Sequence, residues 1–295
     1  MLGFSITFTA MNILVTGANG QLGNELKYLS QNFSTHQFFF TTSSDLDITN
    51  FASVENFFAT NNIELCINTA AYTAVDKAEG EKEKAFLINS FAVENLAKVC
   101  AANRAKLIHI STDFVFDGTL ARPLLESDST NPINVYGASK LEGEKLALQQ
   151  LPSSIIIRTS WVYSSFGNNF VKTILRLCND KPQLNIIFDQ IGTPTHARDL
   201  AAAIFHMANN DKFLAEKGIF NFSNEGVCSW YDFAIAIRDM ANLSTPIFPI
   251  ETHQYPTPAA RPKFSVLNKS LFKQTFQYEI PYWRNSLQHC VLELN

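Results

Sequence analysis

Between residues 13 and 23 the chain reads ILVTGANGQLG, a short β-branched run joined to a helical stretch through Gly17, Gly20 and Gly23. Each glycine has a physical reason at this spacing. Gly17 permits a tight turn, Gly20 lets the backbone approach a pyrophosphate, and Gly23 lets helix and strand pack closely. Gln21 and Leu22 open the helix, whose first N–H groups and positive dipole end suit phosphate oxygens. The spacing is G-x-x-G-x-x-G rather than G-x-G-x-x-G. Its weight comes from being the first strand–helix junction of a long alternation.

That alternation sets the fold class. Short apolar runs at 13–16, 38–42, 65–68, 107–110 and 155–158 predict strands, and the stretches 21–30, 50–60, 81–103 and 136–150 predict helices. Strands this short and apolar are buried on both faces, which points to an α/β protein with a Rossmann-type, doubly wound parallel sheet. After about residue 160 the pattern loosens. We expect helices at 170–179, 198–209, 229–241 and 283–293, strands at 184–188 and 218–222, and a loop at the proline-rich YPTPAARP, 255–262. This predicts a nucleotide-binding domain over 11–160, with segments near 196–225 returning to it. A smaller C-terminal lobe, mainly 161–295, then closes over the carboxyl edge of the sheet, where ligands bind in such folds.

Composition narrows the function. A net charge of −4 argues against a nucleic-acid surface, which needs clustered cations. Five scattered cysteines without C-x-x-C spacing suggest a reduced, cytoplasmic protein. No unbroken apolar run reaches the roughly 18 residues of a membrane span, so no membrane partner is expected. The opening MLGFSITFTA lacks a basic start, and Met11 reads as the natural first residue after an upstream extension, 1–10.

The chemistry is suggested by YGASK. Tyr136 and Lys140 stand four apart, hence on one helical face. A nearby ammonium favours the phenolate and should lower the phenol's proton affinity, readying it for proton exchange during hydride transfer. Such acid catalysis contributes roughly 10²- to 10⁴-fold. The strand before it, LIHISTD, delivers Ser111, Thr112 and Asp113 to the sheet edge. Thr112 is expected to hydrogen-bond the substrate carbonyl, with Ser111 the competing hydroxyl, since one residue of register separates them. The second strand ends in Thr41, Thr42, Ser43 and Ser44, with no acid read there to repel a 2′-phosphate, which favours NADPH while leaving NADH acceptable. Asp47 and Ile48 follow and are expected to flank the adenine. His196 reads as a capping or surface histidine.

GANGQLG (17–23), NTAAYTAVDKAE (68–79), STDFVFDG (111–118), NVYGASKLEGEK (134–145), RTSWVYSSFGNNFVKT (158–173), DQIGTPTHA (189–197) and YPTPAARP (255–262) together resemble the extended short-chain dehydrogenase/reductase family, in its nucleotide-sugar branch. The resemblance implies that Gly17, Gly20, Gln21, Leu22 and Gly23 hold a pyrophosphate and that Thr69, Ala70 and Ala71 line the cofactor. It makes Thr112, Tyr136 and Lys140 the catalytic set, the last two also bordering the nicotinamide. Thr112, Asp113 and Trp161 would touch a dTDP-sugar. We add Arg261 for the diphosphate, because a guanidinium forks onto phosphate oxygens. The implied reaction is reduction of the C4 ketone of dTDP-4-dehydro-β-L-rhamnose, in an enzyme able to form a homodimer. Thr69 and Tyr72 depart from the family's usual alanine and histidine. Glu293 alone does not make a set of metal ligands near the C-terminus, so no metal is expected. Alternatives are a nucleotide-sugar epimerase or dehydratase, or a non-catalytic regulatory subunit. Phe114, where a dehydratase needs Glu, counts against dehydration, and the intact Thr112, Tyr136 and Lys140 set counts against a silent subunit.

Overall fold

The computed structural model describes residues 10–210 and 212–294, so the upstream extension lies outside it except for Ala10. In chain order the first half comprises β1 (Asn12–Thr16), α1 (Gln21–Ser30), β2 (Gln37–Thr41), α2 (Phe51–Asn61), β3 (Leu65–Asn68), α3 (Val75–Ala78), α4 (Lys82–Phe86), α5 (Ala92–Asn103), β4 (Lys106–Thr112), α6 (Val135–Gln150) and β5 (Ile155–Thr159). The remainder comprises β6 (Val162–Tyr163), α7 (Phe170–Asp180), β7 (Leu184–Ile187), β8 (Ile191–Gly192), β9 (Thr195–His196), α8 (Ala197–Ala208), β10 (Gly218–Asn221), β11 (Cys228–Ser229), α9 (Trp230–Met240), β12 (Ile247–Ile250), α10 (Ser270–Phe276) and α11 (Trp283–Leu294).

Six strands form one sheet in the order β10-β5-β4-β3-β1-β2, every pair parallel. Ile13, Val15, Ile67, Ile108 and Ile157 pack on one face against Leu22 and Leu26 of α1, Leu200 and Ile204 of α8, and Phe272 and Phe276 of α10. Leu14, Cys66, Leu107 and Ile156 face the other way onto Val54 and Phe58 of α2, Leu96 of α5 and Ala147 of α6. Burial on both faces is what the unbroken apolar strands required. The strand order reverses direction around β1 and β3, so their carboxyl ends open the crevice where ligands of doubly wound sheets sit. The third core lies outside the sheet and joins Val171 and Ile174 of α7, Phe233 and Ile237 of α9, and Leu287 and Val291 of α11.

Two departures from the sequence reading bear on the site. β4 runs two residues past the expected end and finishes at Thr112. The helix expected at 81–103 contains a single wide turn at Leu87–Phe91, which splits it into α4 and α5. Such π turns insert an extra residue into a helix. Here the turn carries Asn89, whose side chain accepts from the Tyr72 N–H at 2.8 Å and donates to the Tyr72 carbonyl at 3.0 Å and to Ser139 Oγ at 2.9 Å. The composite helix from Lys82 to Asn103 has a mean hydropathy of 1.2, long and apolar enough to cross a bilayer, although half of its apolar window is buried inside the protein. This qualifies the sequence reading that no run reached that length.

Candidate active site

Gly17 turns the chain at φ +71°, and a Cβ there would lie 2.6 Å from the Ala70 amide nitrogen. A Cβ on Gly23 would meet the Gly17 carbonyl at 2.4 Å. These contacts explain why both positions need glycine. α1 starts at Gly20 without any side-chain cap, whereas Asn50, Asn134, Asn169 and Ser229 cap α2, α6, α7 and α9. The first amides of α1, the helix that faces the crevice, are therefore left for a ligand. A cradle that no Cβ can enter, below an uncapped helix, fits the pyrophosphate of a dinucleotide. Thr69 bonds the Thr16 carbonyl at 2.6 Å, and Ala70 and Ala71 follow it, half-buried, along the same edge.

Gln21 does more than open α1. Its amide reaches the Val162 carbonyl at 3.4 Å and accepts from Asn169 Nδ2 at 2.9 Å. The glycine loop is thereby tied to the segment entering the C-terminal lobe, a link that neither partner's sequence context announced.

At the second strand the structure corrects the reading. The Asp45 carboxylate folds back to accept from the Thr42 N–H at 2.9 Å and the Thr42 hydroxyl at 2.7 Å, so an acid does stand at this edge. The Thr42 hydroxyl holds that carboxyl below its ordinary range. Asp47 accepts from the Thr49 N–H and hydroxyl at 2.9 and 2.7 Å, while Asn50 caps α2. Ile48 is 7% exposed and packs in the core beneath the sheet.

Ser111 and Thr112 have different partners. Ser111 donates to Glu144 Oε1 at 2.5 Å, and Glu144 also meets Arg158 at 2.7 Å. Thr112 lies beside Tyr136, accepts from the Phe114 N–H at 3.2 Å and donates to Asp113 Oδ1 at 3.1 Å. α6 comes this close to β4 because Gly137 has no Cβ; one there would lie 2.2 Å from the Phe114 carbonyl. Tyr136, half-buried, meets the Phe114 ring edge-on at 5.8 Å. Lys140 is 1% exposed and donates to the Ile110 carbonyl at 2.5 Å, with His109 Nε2 at 3.2 Å.

The electrostatics differ from the expectation. Burial pushes the Tyr136 phenol up to about 12, opposed by its hydrogen bond with Thr112 and aided by the Asp113 carboxylate. Burial also pulls Lys140 down to about 7, only partly offset by Glu144. The lysine therefore does not lower the phenol as the four-residue spacing implied, because desolvation acts against both charges. Asp113, 2% exposed, is raised by burial to about 7, and its Oδ2 finds no hydrogen-bond partner.

On the lobe side, Trp161 adopts a left-handed φ of 47° and stacks on Trp230 with 3.6 Å between ring centroids. Gly192 leaves room for the Trp161 ring, where a Cβ would lie 2.6 Å away. Arg261 has partners within the chain. Its guanidinium grips Asp76 at 2.8 and 3.0 Å, Thr257 Oγ1 at 2.7 Å and the Ala259 carbonyl at 2.9 Å. It fastens the 255–262 loop to α3 instead of presenting a free fork, and Asn134 holds the same loop through the Ala260 carbonyl at 2.8 Å. His196 is also corrected. It is 2% exposed, stacks on Tyr163 at 5.2 Å, makes no side-chain cap to α8, and lies 4.0 Å from Glu25. Glu293 pairs with Arg198, which also binds Glu25 at 2.7 Å.

The family described as the RmlD substrate binding domain matches residues 11–295. The dTDP-4-dehydrorhamnose reductase of Aggregatibacter actinomycetemcomitans is 39% identical over 287 residues, 94% of this chain and 97% of its own. Among solved structures, a dTDP-4-dehydrorhamnose reductase of Clostridium acetobutylicum superposes with a TM-score of 0.92 at 39% identity, covering 96% of this chain and 99% of its own. That of Bacillus anthracis, solved with NADP, gives a TM-score of 0.90 at 35% identity over the same shares. Matched along its length from Met11, and with relatives this similar covering nearly all of it, the chain belongs to the RmlD substrate binding domain family.

Proposed function

We infer that this protein is an NADPH-dependent oxidoreductase that reduces the C4 ketone of dTDP-4-dehydro-β-L-rhamnose to give dTDP-L-rhamnose, with NADH also accepted. The observation that carries this reading is the meeting of Thr112, Asp113 and Tyr136 at the end of β4, alongside the uncapped glycine cradle at the end of β1. Relatives named for this activity, one of them solved with NADP, support it.

When bound, NADPH supplies a hydride for C4. The residues of this chain do the rest. The cradle at Gly17, Gly20 and Gly23 seats the pyrophosphate, and the amides of Gln21 and Leu22 face its charge. The Thr112 hydroxyl donates to the C4 oxygen and orients it. Tyr136, with its proton affinity raised to about 12, is fully protonated at neutral pH and passes that proton to the forming alkoxide. Asp113 and Trp161 border the sugar nucleotide, and Lys140 stands one turn along α6 from the phenol. Phe114 in place of a carboxylate removes the second acid–base group that dehydration requires. All five cysteines are free and buried, which supports a reducing cytoplasm as the setting.

Following NADPH absorbance with dTDP-4-dehydro-6-deoxyhexose, with and without a C3/C5 epimerase, tests the reaction. Tyr136→Phe should cut turnover by roughly 10²- to 10⁴-fold while leaving NADPH binding in place. Unimpaired turnover in that variant would refute the assignment.

A further inference from the structure

Behind the sheet edge runs a buried chain of hydrogen bonds whose direction is set at one end. The Ala70 backbone N–H can only donate, and it reaches Asn68 Oδ1 at 3.2 Å. Thr16 Oγ1 lies 2.7 Å from the same oxygen. The Asn68 amide orientation is thereby fixed, and its Nδ2 faces His109 Nδ1 at 3.0 Å. An amide NH₂ only donates, so His109 Nδ1 must be the accepting nitrogen. A neutral imidazole carries one proton, which then belongs to Nε2, 3.2 Å from Lys140 Nζ. Asn68 and His109 are fully buried and Lys140 is 1% exposed, so no bulk water is at hand to relieve a mismatch.

We propose that Asn68 and His109 are positioning residues that hold Lys140 as a neutral amine in the cofactor-free protein, by presenting it with an N–H where an ammonium would need an acceptor. The lone pair of Nζ accepts from His109 Nε2–H, and one of its two N–H groups donates to the Ile110 carbonyl at 2.5 Å. Protonating the amine would set two donors face to face. Relief would require His109 to move its proton to Nδ1 and Asn68 to turn its amide over, losing the bond from Ala70. The lysine's proton and the histidine's tautomer are thus coupled. The charged and titratable groups around Lys140 are few. Glu144, one turn further along α6, favours the ammonium but is itself paired with Arg158. His109 on β4 is held neutral by burial. Tyr136 lies one turn before it on α6, and Asp113 follows β4.

This coupling deepens the function proposed above but is a property of the free protein, so its test can fail while the reductase reading stands. With ¹⁵N-histidine-labelled, cofactor-free protein, the two-bond proton–nitrogen couplings of His109 report its tautomer. Nε2–H is expected, and Nδ1–H in the wild type overturns the proposal. Asn68→Asp supplies a carboxylate that accepts from Nδ1–H and frees Nε2 to accept. That variant should switch the His109 tautomer, raise the Lys140 midpoint seen by ¹³C-lysine NMR by about one pH unit or more, and move the matching limb of the turnover–pH profile the same way. A switched tautomer with an unmoved lysine midpoint also overturns the coupling. Should Asn68→Asp fail to fold, the wild-type tautomer alone decides.

Discussion

Replacing Asp113 by Asn should make the protein more stable, and increasingly so as pH rises. In the folded state burial raises this carboxyl from the ordinary 3.8 to about 7. An acid whose folded value is raised is destabilising when ionised. The cost is absent below the unfolded value, grows as pH climbs from about 4 to about 7, and is constant above that. A rise of about three pH units, at about 1.4 kcal/mol for each, gives a full cost of about 4 kcal/mol. About 1.7 kcal/mol of this is already present at about pH 5, so the change between about pH 5 and about pH 8.5 is about 2.5 kcal/mol. Asn keeps the shape and cannot ionise. Urea unfolding of wild type and Asp113→Asn at those two pH values should show the variant's advantage widening by that amount. A gap that stays constant within about 0.5 kcal/mol would mean that Asp113 is not a buried, reluctantly ionised acid, and the reasoning would fail.

Three further outcomes can be checked directly. In Gly23→Ala the new Cβ meets the Gly17 carbonyl at 2.4 Å, so the loop must shift; overpacking of about 1–3 kcal/mol should weaken NADPH binding about tenfold or more by calorimetry. Arg158→Met strips the guanidinium from Glu144, and both are buried at 3% and 2% side-chain exposure; the unfolding free energy should fall by about 3–5 kcal/mol, and a loss below about 1 kcal/mol would contradict the buried pair. Arg261→Ala releases a half-exposed pair, so stability should change by only about 0–1 kcal/mol, while KM for the sugar nucleotide rises several-fold as the 255–262 loop loosens; unchanged KM would separate that loop from the substrate.

Periodicity made the α/β alternation legible, because the central strands β1, β3, β4 and β5 are buried along their apolar runs. The first glycine loop and the Tyr136–Lys140 spacing could be read because their logic is local. What could not be read depends on partners distant in sequence. Thr112 was separable from Ser111 only once Glu144, 33 residues on, claimed the serine. Arg261 looked free because its partner Asp76 lies 185 residues away. His196 looked like a surface cap, yet Tyr163, Glu25 and Asn224 from three other segments enclose it. The wide turn around Asn89 left no composition signal, since its cause is a set of hydrogen bonds to Tyr72 and Ser139. The reversed proton affinities of Tyr136 and Lys140 follow from desolvation, which spacing alone does not report.

One amide couples the two halves of the crevice. Gln21 begins the helix that greets the phosphates and in the same pose steadies Asn169 and Val162 at the threshold of the lobe. Were a dinucleotide to stiffen this corner, less ordering would be left for a sugar nucleotide, and linkage would make the gain equal in both directions.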